Sequence, residues 1–241
     1  MLFSIWDVRV QDFKEFVDAT GYDATAGMFS LKNGKSDQVG DSWKSPGFPQ
    51  TSTHPVIGVS WVDAKNFCSW LTERERKLGK ISKSQSYRLP TDEEWSIAVG
   101  LPSEVGATPK DKDGKINDVY PWGRQWPPPK GAGNYAGSEA KDADWRDTYS
   151  IIEGYRDDYS RTSPVGSFMA NRHGLYDMGG NVWQWCEDGY DSDQTRRVMR
   201  GASWLSNDPD FMASACRVNN APINRNYDIG FRCVLVGESS S

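Results

Sequence analysis

Four cysteines and two histidines are the residues of this chain best suited to bind a transition metal or act as a nucleophile or base, and their spacing restricts the chemistry open to them. Cys68, Cys186, Cys216 and Cys233 form no CxxC pair, and His54 and His173 are too few to build a tetrahedral zinc site around them. His54, in STHPVIGVSW, reads as a structural residue of a turn before a strand. GxSxG, HExxH, a P-loop and GxGxxG do not occur. Asp111, Asp113 and Gly114 hint at an EF-hand loop, but Pro109 and Tyr120 stand where that loop needs carboxylates. What remains is a lone thiol, Cys216, beside Arg217, in a segment rich in amides and aromatics. Cys186 and Cys216 either pair or stay free.

The elements that must position these groups are clearest in the first half. Phe13, Phe16 and Val17 repeat at helical spacing, and Gly21 follows, so Val10 to Thr20 reads as an amphipathic helix with a glycine stop. Gly21 to His54 is rich in Gly, Ser, Lys and Pro and reads as loop. Ser60 and Asp63 cap a second helix whose apolar face is Trp61, Ala64, Phe67, Cys68 and Leu71, ending near Gly79. Thr91 and Glu94 cap a third, with Trp95 and Ala98 facing inward. From Gly100 to Asn171 little periodicity survives, and a loop that long needs an organiser, for which a bound ion is one choice. The stretch Gly174 to Cys233 carries GLYDMGGNVWQWCEDGY, RVMRGASW and NNAPINRNYDIGFRC, a pattern of turns around aromatic anchors. Within it GNVWQW places two tryptophans on one face of a strand.

Only 37% of the residues are hydrophobic, yet 11 Trp, 10 Tyr and 9 Phe supply large faces for a core. The 241 residues fit a single domain, 1–241, with a flexible tail at 237–241. A net charge of −5 with mixed signs leaves no basic stripe, so nucleic acid is not an expected partner. No run reaches a membrane span, and MLFSIWDVRVQDF lacks the features of a signal peptide. The expectation is a soluble chain, with the cytoplasm favoured among compartments. Its abrupt start on FSIWDVRVQDF is what a domain excised from a larger signalling or defence protein would show.

Seven ordered blocks, HPVIGVSWVDAKNFCSWL, YRLPTDEEWSIAVG, YPWG, SPVGSF, GLYDMGGNVWQW, RGASW and IGFRC, give the chain a resemblance to the formylglycine-generating enzyme, or sulfatase-modifying factor, family. The similarity runs from Val8 to Cys233. It implies an α+β, C-type-lectin-like fold with a few helices, short antiparallel strands and little regular structure. It also implies a disulfide between Cys68 and Cys233, against which stand two buried thiols in a reducing compartment. The family's formylglycine chemistry uses two cysteines just after a GGS-aromatic turn to bind copper(I). Here Ser206 stands at the first of those positions, and Phe211 or Met212 near the second, so copper is not expected. A related branch holds non-haem iron with three histidines, which two histidines cannot supply.

The resemblance further implies structural calcium at two loop sites. The first would use Asn134, the Tyr135 carbonyl, Asp157 and the Tyr159 carbonyl; the second Asp177, the Gly180 and Val182 carbonyls and Gln184, where an acidic residue is usual. The alternative is that Asp157 and Asp177 only shape turns. In this fold the segment 204–228 returns to the groove of the family's active site. Trp204, Leu205, Ser206, Asn207, Phe211, Val218, Asn219, Asn220, Ile223, Asn226, Tyr227 and Asp228 are therefore the expected ligand-binding residues, for a protein or small-molecule partner. The same segment resembles the variable proteins of diversity-generating retroelements. Asn207, Asn219, Asn220, Asn224 and Asn226 would then be unmutated positions, and Leu205, Ser206, Phe211, Cys216, Val218, Ile223 and Tyr227 changed ones. An ordinary inactive member whose asparagines form turns is the equal alternative. The functional expectation is a non-catalytic ligand-binding domain, with an oxidoreductase acting on a cysteine-containing protein or peptide through Cys216 as the alternative.

Overall fold

The computed structural model describes residues 1–32, 35–38, 41–143, 145 and 150–237, so the expected tail lies outside it beyond Gly237. Along the described residues run β1 (Leu2–Phe3), α1 (Val10–Thr20), β2 (Phe29–Lys32), β3 (Lys35–Gln38), α2 (Trp61–Lys77), β4 (Ser86–Arg88) and α3 (Asp92–Val99). A short α4 (Pro109–Lys112) and a 3-10 turn (Ser138–Asp142) follow. The last part holds β5 (Trp183–Gly189), β6 (Arg197–Arg200), a short α5 (Pro209–Met212), β7 (Val218–Asn220), β8 (Ile229–Gly230) and β9 (Val234–Val236). None of the described helices is long and apolar enough to cross a membrane.

The three longer helices form where local signals place them. Gly21 adopts φ 67°, a left-handed conformation that ends α1, and its N–H returns to the Val17 carbonyl. In α2 the Ser60 hydroxyl accepts from the Asp63 N–H at 3.1 Å while the Asp63 carboxylate accepts from the Ser60 N–H at 2.8 Å, satisfying two orphan donors at once. Thr91 and Glu94 repeat this exchange on α3. Helices α1 and α2 then join through aromatics: the Phe13 ring stacks 6.1 Å from Phe67, and Phe67 lies 5.4 Å from Phe231.

Two sheets frame the domain. In the first, β9 lies between β1 and β4, antiparallel to both, and so ties the two ends of the described chain together. The second has the order β7-β6-β5-β8; β5 is antiparallel to β6 but parallel to β8, with Trp183 opposite Ile229. Period-two alternation gives this sheet two different faces. Cys186 and Val198 face α3 and pack with Trp95 and Ala98. Trp183, Trp185, Met199 and Ile229 belong to the main core and turn the other way.

The reading of 21–54 as loop is corrected by the β2–β3 hairpin, in which Ser30 pairs with Asp37 and Leu31 with Ser36. Its support is mostly not local: buried Leu31 packs in a second cluster with neighbouring Met28 and with Trp145, Trp204 and Tyr227 from far along the chain. The long segment 100–171 holds little regular structure, as its sequence implies. Its organisers include Asn134, whose Nδ2 donates to the Arg161 carbonyl at 2.8 Å, and Asn181, whose side chain exchanges hydrogen bonds with the Ser163 backbone.

A buried ionic network locks β6 and the chain before β7 to α3. Arg200 pairs with Asp92, and Arg217 reaches Asp92 at 3.0 Å and Glu104 at 2.6 Å, with all four side chains nearly or fully buried. The Arg200 guanidinium also lies 4.5 Å over the Trp95 ring and donates to the Ser214 carbonyl at 2.7 Å. Every cation in this cluster meets a carboxylate and further acceptors, the condition under which buried ion pairs hold.

Candidate functional site

The face of the four-stranded sheet turned away from α3 floors a cavity of about 460 Å³. Trp183, Met199 and Ile229 supply its apolar base, and the segments 203–211 and 218–228 form its walls. Of the expected ligand-binding residues, Leu205, Ser206, Asn207, Phe211, Val218, Asn220, Asn226, Tyr227 and Asp228 come together on this one groove. Its size lies within the range of about 300–1,000 Å³ usual for small-ligand sites.

Three expected residues lie elsewhere. Trp204 is fully buried among Trp145, Phe48 and Tyr227, behind the wall and not on it. Asn219 is turned to the other face of β7 by the alternation that brings Val218 and Asn220 into the groove. Ile223 is 69% exposed on the turn after β7, outside the cavity. Conversely, Trp183, Met199, Ser203, Asp208 and Ile229 line the groove without having been singled out. Ser203 immediately precedes the expected segment 204–228, and Asp208 lies within it among the residues not chosen. The other three are placed by strand register, which one sequence does not specify.

The groove edge contains a strained turn. Gly201 has φ 100°, and a Cβ there would lie 3.3 Å from the Trp95 ring, so glycine is required. Ala202 follows at φ 65°, a left-handed conformation that a side chain disfavours. This turn orients Ser203, whose hydroxyl donates to Asp228 Oδ2 at 3.0 Å. Burial pushes the Asp228 carboxyl up to about 6.

Of the residues that the resemblance sets at or near the copper-binding cysteines, Ser206 and Phe211 both line the groove, whereas Met212 is buried in the main core. Cys216 does not open onto the groove. It is buried, and burial raises its thiol to about 12. The neighbouring Arg217 does not activate it, because that guanidinium is engaged with Asp92 and Glu104. Cys186 lies in the α3 cluster and Cys216 in the main one, so the two are held by different packing. Cys68 and Cys233 meet as thiols, with sulfurs 3.4 Å apart, where a disulfide would need about 2.05 Å. His54 has the structural role its context implies: its Nδ1 sits 3.0 Å from Thr162 Oγ1, and burial lowers its pKa.

The two calcium donor sets differ. At the first, Asp157 accepts from the Tyr135 N–H at 2.7 Å and the Tyr159 N–H at 2.9 Å, which brings these residues together. Asn134 Oδ1 and the nearby Glu139 Oε1 are buried without a hydrogen-bond partner, and burial raises Asp157 to about 8. The Asn134 and Asp157 oxygens are donors of the kind calcium takes, whereas the Tyr135 carbonyl already accepts from the Gly137 N–H at 2.8 Å. At the second, Gln184 Oε1 already accepts from Trp95 Nε1 at 2.9 Å and Arg232 Nε at 2.8 Å. The Gly180 carbonyl accepts from the Val182 N–H, and the Arg232 guanidinium also reaches the Asp177 carbonyl at 3.1 Å. A guanidinium in that position repels a second cation, so these donors do not fit calcium as they stand.

The sulfatase-modifying factor enzyme 1-like domain matches residues 2–236 of the chain. The inactive C-alpha-formylglycine-generating enzyme 2 of Bos taurus is 29% identical over 263 residues, covering 95% of this chain and 75% of that protein. The formylglycine-generating enzyme of Thermomonospora curvata is 30% identical over 219 residues, covering 80% of this chain and 61% of that one. Among solved structures, Treponema denticola variable protein 1 superposes with a TM-score of 0.58 at 21% identity, over 96% of this chain and 82% of that one.

Proposed function

The chain belongs to the sulfatase-modifying factor enzyme 1-like domain family, with its α+β, C-type-lectin-like fold, and on that premise we propose that it is a binding member which holds a ligand without oxidising it. The observation that carries this reading is the groove wall. Ser206 lines the cavity where the resemblance expects the first copper-binding thiol, Phe211 lines it and Met212 lies in the core near the expected second, and no cysteine is among the described residues lining the cavity. A hydroxyl and a phenyl ring do not bind copper(I) as two thiolates do. The buried, strongly raised thiol of Cys216 offers no substitute. The relative from Bos taurus, itself named inactive, supports the same reading.

The test is oxygen consumption by the protein with copper(I) and a cysteine-containing peptide. No turnover is expected; turnover that disappears in Cys216→Ser would overturn the proposal in favour of an oxidase. Calcium at the Asn134–Asp157 site belongs to the proposal as a structural ion that fastens the long insertion.

A finer form of this reading is a groove whose residues are diversified. Leu205, Ser206, Phe211, Val218 and Tyr227, the positions read as changed from asparagine, line the cavity, while Cys216 and Ile223 do not. The fold shared with the Treponema denticola variable protein 1 supports this form. Sequencing codons 204–228 across the source population decides it: changes confined to groove positions, with an imperfect repeat nearby, support diversification, and an invariant segment refutes it.

A further inference from the structure

The groove carries an excess of hydrogen-bond acceptors and negative charge. Asp228 places a carboxylate on its wall whose side-chain hydrogen-bond donor is the Ser203 hydroxyl. Asp208 adds a second carboxylate, used at one oxygen to accept the Asp210 N–H at 2.8 Å. Asn226, two residues before Asp228, has its Oδ1 buried with no hydrogen-bond partner. Among the described lining residues there is no lysine, arginine or histidine. Arg225, beside Asn226, is committed to Asp63 through two hydrogen bonds of 2.7 and 2.8 Å. Arg197, on the same face of β6 as Met199, lies 4.4 Å over the Trp61 ring and donates to the Glu187 carbonyl.

The ligand's chemistry follows from this imbalance. An anion would meet two carboxylates with no cation to hold it. A purely apolar molecule would cover the base but leave the Asp228 carboxylate desolvated with only the Ser203 hydroxyl to offset its charge, which is unfavourable. A donor-rich cation on an apolar stem satisfies the acceptors and the Trp183–Met199–Ile229 base together.

We propose that the groove binds an organic cation, an ammonium or guanidinium group on an apolar stem, with Asp228 as its counter-ion. The proposal rests on the reading of the groove as a binding site.

The experiment compares three probes with one stem and different heads, phenylbutylamine, phenylbutanol and phenylbutanoate, titrated at neutral pH into isotope-labelled protein and followed by amide NMR shifts. The amine is expected to shift the amides of residues 203–208 and 226–229 and to bind about tenfold or more tighter than the other two. Asp228→Asn is expected to remove that preference, bringing the amine's affinity down to about that of the alcohol. Equal or tighter groove binding by the alcohol or carboxylate overturns the counter-ion inference but leaves the binding reading intact. So does a preference for the amine that survives in Asp228→Asn. If none of the three probes moves groove amides, the inference and the binding reading fall together. The head-group comparison is made on the unaltered protein, so it stands even if the variant does not fold.

Discussion

Replacing Trp204 with alanine separates a wall support from a ligand contact. The indole is fully buried, with ring centroids 5.6 Å from Trp145, 6.0 Å from Tyr227 and 6.1 Å from Phe48, and the Arg161 guanidinium lies 5.3 Å over it. A tryptophan buries about 150–250 Å². At about 25 cal/mol per Å² that amounts to roughly 4–6 kcal/mol, an upper bound because unfolded chains already cover some of this surface. Aromatic-to-alanine truncations in cores cost about 3–5 kcal/mol, so Trp204→Ala is expected to lose about 4 kcal/mol. With a urea slope of about 3 kcal/mol/M, the unfolding midpoint should fall by about 1.3 M. Ile223→Ala, at a side chain 69% exposed, is the control and should stay within about 0.5 kcal/mol. A Trp204→Ala midpoint indistinguishable from that control would refute the argument and return Trp204 to the ligand-contacting surface.

Three further outcomes follow from the same geometry. Asp228 is raised from 3.8 to about 6 by burial, so the folded state holds its proton more tightly than the unfolded one, and its contribution to stability is present below about pH 4 and lost as the pH rises through 6. The melting temperature of Asp228→Asn relative to the original should therefore climb across that window and level off above it; a difference that shrinks would mean the carboxylate is stabilised by a cation instead. Ala202→Gly relieves a side chain held at φ 65°, worth about 1–2 kcal/mol, but deletes a methyl buried in the main core, worth about 0.8 kcal/mol, so stability in the same urea assay should change by less than about 1 kcal/mol; a loss of about 2 kcal/mol or more would show that the turn is unstrained. Finally, with the Cys68 and Cys233 sulfurs 3.4 Å apart, mild oxidation should link them and raise the melting temperature. Peptide mapping without reductant reads the link, and Cys233→Ser should remove both effects; an oxidised chain with both thiols intact counts against the pairing.

What was legible in the sequence was mostly local. The Ser60–Asp63 and Thr91–Glu94 boxes and the Gly21 stop act within one helical turn, so α1, α2 and α3 could be placed from spacing alone. The hairpin of β2 and β3 was not, because Leu31 is held by Trp145 and Trp204, more than a hundred residues away. The groove was half legible. Its walls come from contiguous segments and could be marked, but its base is set by pairing Trp183 with Ile229 and Met199 with Val218. The same missing register misplaced Asn219, since neighbouring residues on a strand look alike until a partner fixes their faces. Trp204 was misread because an aromatic in a loop segment carries no sign of whether it faces the ligand or props the wall from behind.

The Asp92–Arg200–Arg217–Glu104 network lies on the side of the four-stranded sheet away from the groove. Arg200 closes β6 and Arg217 immediately precedes Val218, so the roots of the groove walls are clamped by charges that never touch its contents. The clamp is thereby kept apart from the cavity lining: a change at Leu205, Phe211 or Val218 leaves every ion pair of the network in place.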